Sequence, residues 1–513
     1  MITGQNLVGG LWESITTEAC FQTMNPKTKE YLTPLFQEAS TEQIEQATLR
    51  ASGVSEIYAA TSFEKRAHFL KIIQEEIKQN SVEILAAYQE ESALPEGRAK
   101  GELQRTLDQI ERFIEVLEDG SFSQATLHTN GPDLRKILVP IGPVVVFGAS
   151  NFPLAFSTAG GDTISALAAG CPVIVKGHPY HAGTSELVAQ AIHSALKKTG
   201  LPLELFSHLG GESHQIGSQL VRHPLIKGVG FTGSFTGGKA LYDLAQKRSE
   251  PIPVFAEMGS INPIFILENK LKTDENLAAD LSVSITLGTG QFCTNPGIIV
   301  ICDSSNESSL VEEIKNKMAT MELPPMIHSN IEARYKKQIT HLSSSNSGVQ
   351  VHLFNENDSA LGVVSGADFI ESPLLSEEVF GPFSLVVQCH SIDEMVNVAQ
   401  VLKGQLTATI LSTTEDQHNL KILLPKVQAK VGRILFEGVP TGVAVNQAMQ
   451  HGGPFPATTD SRFTSVGSDA IYRWLRPIAF QDCPDLLLPV TLQNKNPLGI
   501  LRNVNGILTT NAL

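Results

Sequence analysis

Apolar positions recur along this chain in two rhythms. From residue 40 to about residue 118 the spacing is helical: in SFEKRAHFLKIIQEEIKQN, Phe63, Ala67, Leu70 and Ile73 fall on one face. Ser40 with Gln43, and Thr61 with Glu64, make capping-box patterns that mark helix starts. A turn-rich stretch, HTNGPDLRKILVPIGP, follows, and then the rhythm changes. VVVFGA (144–149) and PVIVKG (172–177) are short apolar runs that read as buried strands. TAGGDTISALAAG (158–170) and TSELVAQAIHSALKKTG (184–200) read as helices, the second with a polar start, two lysines in its last turn and a terminal glycine. LELFSHL, SHQIGSQLVR, GVGFTG and KALYDLAQKR continue the alternation, and IPVFAEMG closes it. Such alternation predicts a parallel sheet covered on both faces, with ligands at the C-terminal strand ends.

A second alternating region, with NPIFIL, GIIVICD, FSLVVQC, LTATIL and GRILFEG as its apolar runs, predicts another α/β domain over about 260–445. The Pro- and Leu-rich tail, DCPDLLLPVTLQNKNPLGI, shows no core of its own and is expected to pack against another subunit. A length of 513 residues predicts two or three domains, and 42% apolar with 18% charged residues fits a globular chain. The net charge of −15 argues against nucleic acid or an anionic membrane as partner. No basic-then-apolar leader is visible, and no apolar run nears the roughly 20 residues that span a bilayer. Six scattered cysteines without a C-x-x-C pair indicate neither a disulfide framework nor a zinc site, so a reducing, cytoplasmic setting is expected.

Cys293 lies in GTGQFCTNPG, among turn formers and outside any apolar run, so it is either a nucleophile or a structural thiol. A free thiol has a pKa of about 8.5, and a nucleophile therefore needs a nearby base or helix N-terminus. Metal ligation is not expected, because no other cysteine or histidine stands at ligand spacing beside it. Glu257, at a strand end in FAEMGS, is either a general base or a capping or salt-bridging glutamate. Asn151, between VVVFGAS and FP, either donates to an oxyanion or fills a turn. Lys176 ends PVIVK as a solvated strand end or as a reach toward a ligand. In GFTGSFTGG (230–238), Gly233 and Gly238 would let backbone approach a ligand, and Ser234 could bond a phosphate at a helix start. A plain strand-to-helix turn reads equally well there. SEEVFGP (376–382) holds Glu378 and Phe380, the ring being either a cofactor-stacking aromatic or a core plug.

Taken in order, FGASNFP, CPVIVKGHP, GFTGSFTGG, AEMGSINP, GQFCTNPG and EEVFGP resemble the aldehyde dehydrogenase superfamily over most of the chain. NFPLAFSTAGGDTISALAAGCPVIVKGHPYHAGTSELV and HGGPFPATTDSRFTSVG are similar to its 2-oxoglutarate semialdehyde (2,5-dioxopentanoate) dehydrogenase branch, with the NADP-dependent bacterial fatty aldehyde dehydrogenase next. The resemblance implies an α/β fold with a Rossmann-like NAD(P)-binding domain (1–125 and 141–259) and a second α/β, catalytic domain (260–445). Segments 126–140 and 475–513 would serve oligomerisation, in a homodimer or homotetramer. By the same resemblance, Cys293 attacks an aldehyde, Asn151 and the Cys293 N–H hold the oxyanion, and Glu257 activates the water that releases the acid. Lys176 would bind the adenosine ribose, Ser234 the pyrophosphate and Glu378 the nicotinamide ribose, with Phe380 beside the nicotinamide. No metal is implied.

Two departures from the superfamily pattern matter. EMGSINP keeps Glu257 but lacks the lysine that much of the superfamily carries beside the base. Pro179 stands where many NAD-preferring members have a glutamate, so nothing repels a 2′-phosphate and NADP is expected to be accepted as well as NAD, with His178, His181 and His214 as candidate helpers. For the substrate, PATTDSR (456–462) offers Arg462 as a carboxylate clamp with Thr458 beside it. His451 is either a site residue or a loop histidine. The alternatives are a fatty or other aldehyde dehydrogenase of the same fold and, from another class, a non-redox cysteine hydrolase. The latter needs a histidine partner, and none lies near Cys293 in sequence.

Overall fold

The helical region from residue 40 resolves into four helices, Thr41–Ala59, Phe63–Gln79, Ser81–Ser92 and Glu96–Asp119, in a computed structural model that describes residues 1–14, 19–305, 308–354 and 358–513. Ser40 accepts from the Gln43 N–H, and the Gln43 side chain accepts from the Ser40 N–H in return. The second cap falls one residue later than the sequence pattern suggested: Ser62, not Thr61, accepts from the Lys65 N–H. Thr61 is engaged by the preceding helix, where its hydroxyl donates to the Ile57 carbonyl. Ala67, Leu70 and Ile73 are buried in a core shared with the helices Glu96–Asp119 and Ala182–Thr199.

Five parallel strands form most of the first sheet, in the order Val254–Glu257, Gly228–Thr232, Val144–Phe147, Val173–Lys176 and Phe206–Leu209. Helices cover both faces, which is why these strands read as unbroken apolar runs. Their shared direction gathers the C-terminal ends on one rim: Lys176 pairs with Phe147 and Leu209, and Glu257 with Thr232. An antiparallel hairpin, Asn6–Val8 and Leu11–Glu13, completes the far edge and is too short for its periodicity to reveal.

The second sheet runs Gln350–Phe354, Ser359–Ser365, Phe383–Cys389, Ile298–Cys302, Ile264–Ile266, Gln405–Leu411, Val431–Leu435, parallel throughout except for its first strand. The five apolar runs read from the sequence are its last five members. A third sheet corrects the expectation that the tail lacks a core. It joins Leu475–Gln481, Leu134–Pro140, Thr126–His128, Arg502–Val504 and Ile507–Thr509. Leu488, Leu492 and Ile500 of the tail bury against Ala125, Leu127 and Ile137. Each half of this core is too small to show as a core by itself. Among the described residues no helix is long and apolar enough to cross a membrane.

Candidate active site

Glu257 ends its strand at the rim of the first sheet and is only 3% exposed. Cys293 sits half-buried in the turn that follows the short helical segment Leu287–Gly290. His451, 2% exposed, comes from the loop after the second sheet and lies between them. Its Nε2 is 2.9 Å from Glu257 Oε1 and 3.6 Å from Cys293 Sγ. Ser465 donates its hydroxyl to the other carboxylate oxygen, Oε2, at 2.5 Å. One imidazole nitrogen thus bridges a thiol and a carboxylate.

Local structure fixes the thiol. Asn262, at a left-handed φ of 42°, donates its amide to the Cys293 and Asn295 carbonyls at 2.8 and 2.9 Å. At Gly290, with φ of 66°, a Cβ would lie 2.0 Å from the Gly381 carbonyl oxygen, so only glycine lets this turn touch the VFGP loop. Asn151 donates to the Gln291 carbonyl at 3.0 Å, which brings its amide beside the thiol's own turn and leaves a second N–H.

Burial first, and the Glu257 charge second, hold the Cys293 thiol well above its ordinary pKa. Burial alone would raise Glu257, but the adjacent His451 and the Ser465 hydrogen bond outweigh it and hold the carboxyl below its usual value. The resting centre is therefore a neutral thiol beside a carboxylate. The donor atoms of Glu257, Cys293 and His451 all lie within 4.8 Å of one another, a grouping that no sequence spacing announces.

The cofactor candidates lie along the same rim. Lys176 donates to the Gly211 carbonyl at 2.5 Å, and burial lowers its pKa to about 8. Ser234 caps the helix Phe235–Gln246 by accepting from the Gly237 N–H at 3.2 Å. Glu378 lies half-buried against Gly259, where a Cβ would come within 2.3 Å of its carboxylate. Burial raises its pKa to about 7. Phe380 is half-buried beyond it. At Gly233 and Gly238 packing by itself calls for glycine. A Cβ on Gly233 would strike the Phe231 ring at 2.8 Å, and one on Gly238 would strike Met258 at 2.7 Å. Both glycines serve packing between strand and helix.

In front of the thiol opens a pocket of about 210 Å³, walled by Arg98, Arg105, Phe152, Phe156 and Phe292. The expected substrate residues are not among its walls. Arg462 has a side chain 79% exposed and closes on Asp460, with Nε to Oδ1 at 2.9 Å and Nη2 to Oδ2 at 2.5 Å. Thr458 donates its hydroxyl to the Gly453 carbonyl at 2.5 Å, and its backbone bridges Glu257 in a crevice behind the carboxylate. Ser465, Asn262 and the two pocket arginines carried no sequence reading of their own.

A thiol, a histidine and a buried carboxylate would also suit a hydrolase, whose missing histidine the fold supplies. Comparison with known proteins decides between these. Residues 12–453 match the profile of the Aldehyde dehydrogenase family. The chain belongs to the aldehyde dehydrogenase family. It is 42% identical to alpha-ketoglutaric semialdehyde dehydrogenase 2 of Azospirillum brasilense, over 98% of this chain and 99% of that one. It is also 42% identical to alpha-ketoglutaric semialdehyde dehydrogenase of Acinetobacter baylyi, over 93% of each. In fold it is similar to Thermus 1-pyrroline-5-carboxylate dehydrogenase with bound NAD, with a TM-score of 0.79 at 20% identity, covering 93% and 92% of the two chains. It is likewise similar to Staphylococcus aureus betaine aldehyde dehydrogenase in complex with NAD+, with a TM-score of 0.81 at 16% identity, covering 94% and 95%. An aldehyde dehydrogenase is an oxidoreductase that uses a nicotinamide cofactor. The rim fits such a group, with a cation at one strand end and a capped helix N-terminus two strands along the sheet.

Proposed function

We propose that this aldehyde dehydrogenase oxidises 2,5-dioxopentanoate to 2-oxoglutarate, with NADP or NAD as oxidant. The observation that carries the reaction is the buried contact of Glu257, His451 and Cys293. The 42% identity to two alpha-ketoglutaric semialdehyde dehydrogenases, over nearly whole chains, supports the substrate.

Cys293 sulfur attacks the aldehyde carbon as its proton passes to solvent; His451 Nε2 does not take it, because that nitrogen carries the proton it donates to the Glu257 carboxylate. The resulting oxyanion accepts from the free N–H of Asn151 and from the backbone N–H of Cys293. Bound nicotinamide supplies the hydride acceptor, and loss of hydride leaves the acyl group as a thioester on Cys293. Glu257, oriented by His451 and Ser465, takes a proton from the water that hydrolyses it. No metal ion is needed, because the base is a side chain. Lys176, Ser234 and Glu378 would hold the cofactor, with Phe380 toward its nicotinamide end. Pro179 in place of a carboxylate leaves room for a 2′-phosphate.

The third sheet supports a homo-oligomer, a dimer or tetramer, because Leu486, Leu487, Ile507 and Leu508 expose apolar surface on it or beside it. A cytoplasmic setting suits a free catalytic thiol. The test is to mix the protein with 2,5-dioxopentanoate and either cofactor and follow near-UV absorbance of the reduced nicotinamide. Rapid reduction with this substrate is expected. Its absence, or a higher kcat/KM for a fatty aldehyde, would overturn the substrate.

A further inference from the structure

The pocket in front of Cys293 is lined by two arginines, Arg98 and Arg105, and one carboxylate, Glu102, and among the described residues neither arginine is ion-paired with it. Arg98 and Arg105 stand on the helix Glu96–Asp119, with Glu102 between them on the same face. Each guanidinium lies over aromatic rings: Arg98 is 4.3 Å from the Phe292 centroid and 5.0 Å from that of Phe152, and Arg105 is 5.4 Å from that of Phe156. Arg98 donates to the Asn151 carbonyl at 2.8 Å, while its Nε and Nη1 are buried without an acceptor. Arg105 donates to the Val443 carbonyl. Neither arginine forms a salt bridge among the described residues.

Glu102 favours the Arg105 charge from a distance, but its carboxylate oxygens are taken by other donors. Its Oε1 accepts from the Leu154 and Ala155 N–H groups at 2.8 and 3.0 Å, and its Oε2 from the Tyr88 hydroxyl at 2.6 Å. A cation drawn out of water without an ion pair is poorly compensated, and a ligand that brings a carboxylate into contact relieves it. The charge is also close to the chemistry, since Arg105 works against the rise in the Cys293 pKa.

We propose that Arg105, seconded by Arg98, receives the carboxylate at the far end of the aldehyde, so that this pocket selects aldehydes carrying a terminal carboxylate over neutral ones. The proposal rests on the substrate reading above and gives it a residue. The two arginines divide the work. Arg98 is anchored through the backbone of the oxyanion donor Asn151, and Arg105 keeps most of its planar fork for a bidentate grip. In a five-carbon chain the carboxylate carbon lies roughly 5 Å from the aldehyde carbon. Cys293 and Arg105 wall the same small pocket, and Arg105 is near enough to act on the thiol, which suits a chain of that length.

The experiment compares kcat/KM for 2,5-dioxopentanoate, succinate semialdehyde and pentanal in the wild type, Arg105→Met and Arg105→Lys. Wild type should favour the carboxylated aldehydes. In Arg105→Met their advantage over pentanal should shrink about 100-fold, mainly through KM, and in Arg105→Lys about tenfold, because charge survives but the fork does not. Dividing by the pentanal rate cancels any general loss of folded enzyme, and the lysine variant stands in if the methionine variant does not fold. If wild type prefers the carboxylated aldehydes and both variants keep that preference within threefold, Arg105 is not the receptor while the function stands. If the variants lose a wild-type preference that proves strongest for succinate semialdehyde, Arg105 stands and 2,5-dioxopentanoate falls. If wild type shows no preference for a carboxylate, both fall.

Discussion

Two hollows flank the Glu257–Cys293 centre, and they differ in how their polar groups are satisfied. Behind Glu257, every charge has a partner inside the protein. Arg473 meets Asp162 at 2.7 Å, Asp460 holds Arg462, and Thr458 and Thr459 donate to the Gly453 and Val254 carbonyls. In front of Cys293, two guanidinium groups lie on aromatic rings, and Arg98 keeps its buried Nε and Nη1 without an acceptor. A saturated polar cluster is rigid scaffold, whereas an unsaturated one has capacity left for a ligand. The difference assigns support to the rear hollow and recognition to the front.

The sharpest way to break this division is to disable the carboxylate that joins the hollows. Glu257→Gln should lower steady turnover by about 10³-fold, in line with loss of a general base, yet still release one burst of reduced cofactor per active site. A linear time course with no burst would remove Glu257 from deacylation. The same variant tests the electrostatics. Glu257 raises the Cys293 pKa, so removing its charge should lower it and increase the thiolate fraction at pH 8. Iodoacetamide should then alkylate Cys293 faster at that pH in the variant than in wild type. Asn151→Ala should come next, with kcat down about 10²-fold and no change in alkylation rate, because it acts on the oxyanion and not on the thiol.

These residues were legible in different degrees. The α/β alternation and most strands of both large sheets could be read from apolar runs, because strands buried on two faces leave no other pattern. Glu257 and Asn151 stood out because each ends or follows such a run with a group of different chemistry, and Cys293 because it lies among turn formers outside any run. Their relation did not, since His451 lies 158 positions from Cys293 and 194 from Glu257. The front hollow left a fainter trace. Arg98, Glu102 and Arg105 are polar residues along the stripe that the helix Glu96–Asp119 turns inward, where apolar residues are the rule. For Arg462, loop position and charge could not show that its guanidinium closes on the neighbouring Asp460.

At the cofactor rim the comparison becomes a matter of pH. Burial lowers the Lys176 pKa to about 8 even though Glu38 and Glu212 pull the other way, so the free enzyme loses this cation as pH passes through about 8. A 2′-phosphate is fully ionised above pH 7, its second pKa being about 6. NADP affinity measured by fluorescence titration should therefore fall several-fold between pH 7 and 9.5, and fall less for NAD. Lys176→Met should abolish the slope. An equal slope in the variant would trace it to another group.

The smallest effect should come from the residue that charge alone made attractive. Arg462 has spent its fork on Asp460, with both nitrogens of the pair at hydrogen-bonding distance, and its stem runs over the Phe463 ring. It faces solvent on the rim of the rear hollow, so a substrate carboxylate would have to displace an aspartate already held in place and then compete with water. Arg462→Ala should leave KM for 2,5-dioxopentanoate within twofold of wild type, while the front-hollow substitution at Arg105 raises it. A large rise in KM from Arg462→Ala would mean that the Asp460 pair opens to admit substrate, and the rear hollow would then be a binding site after all.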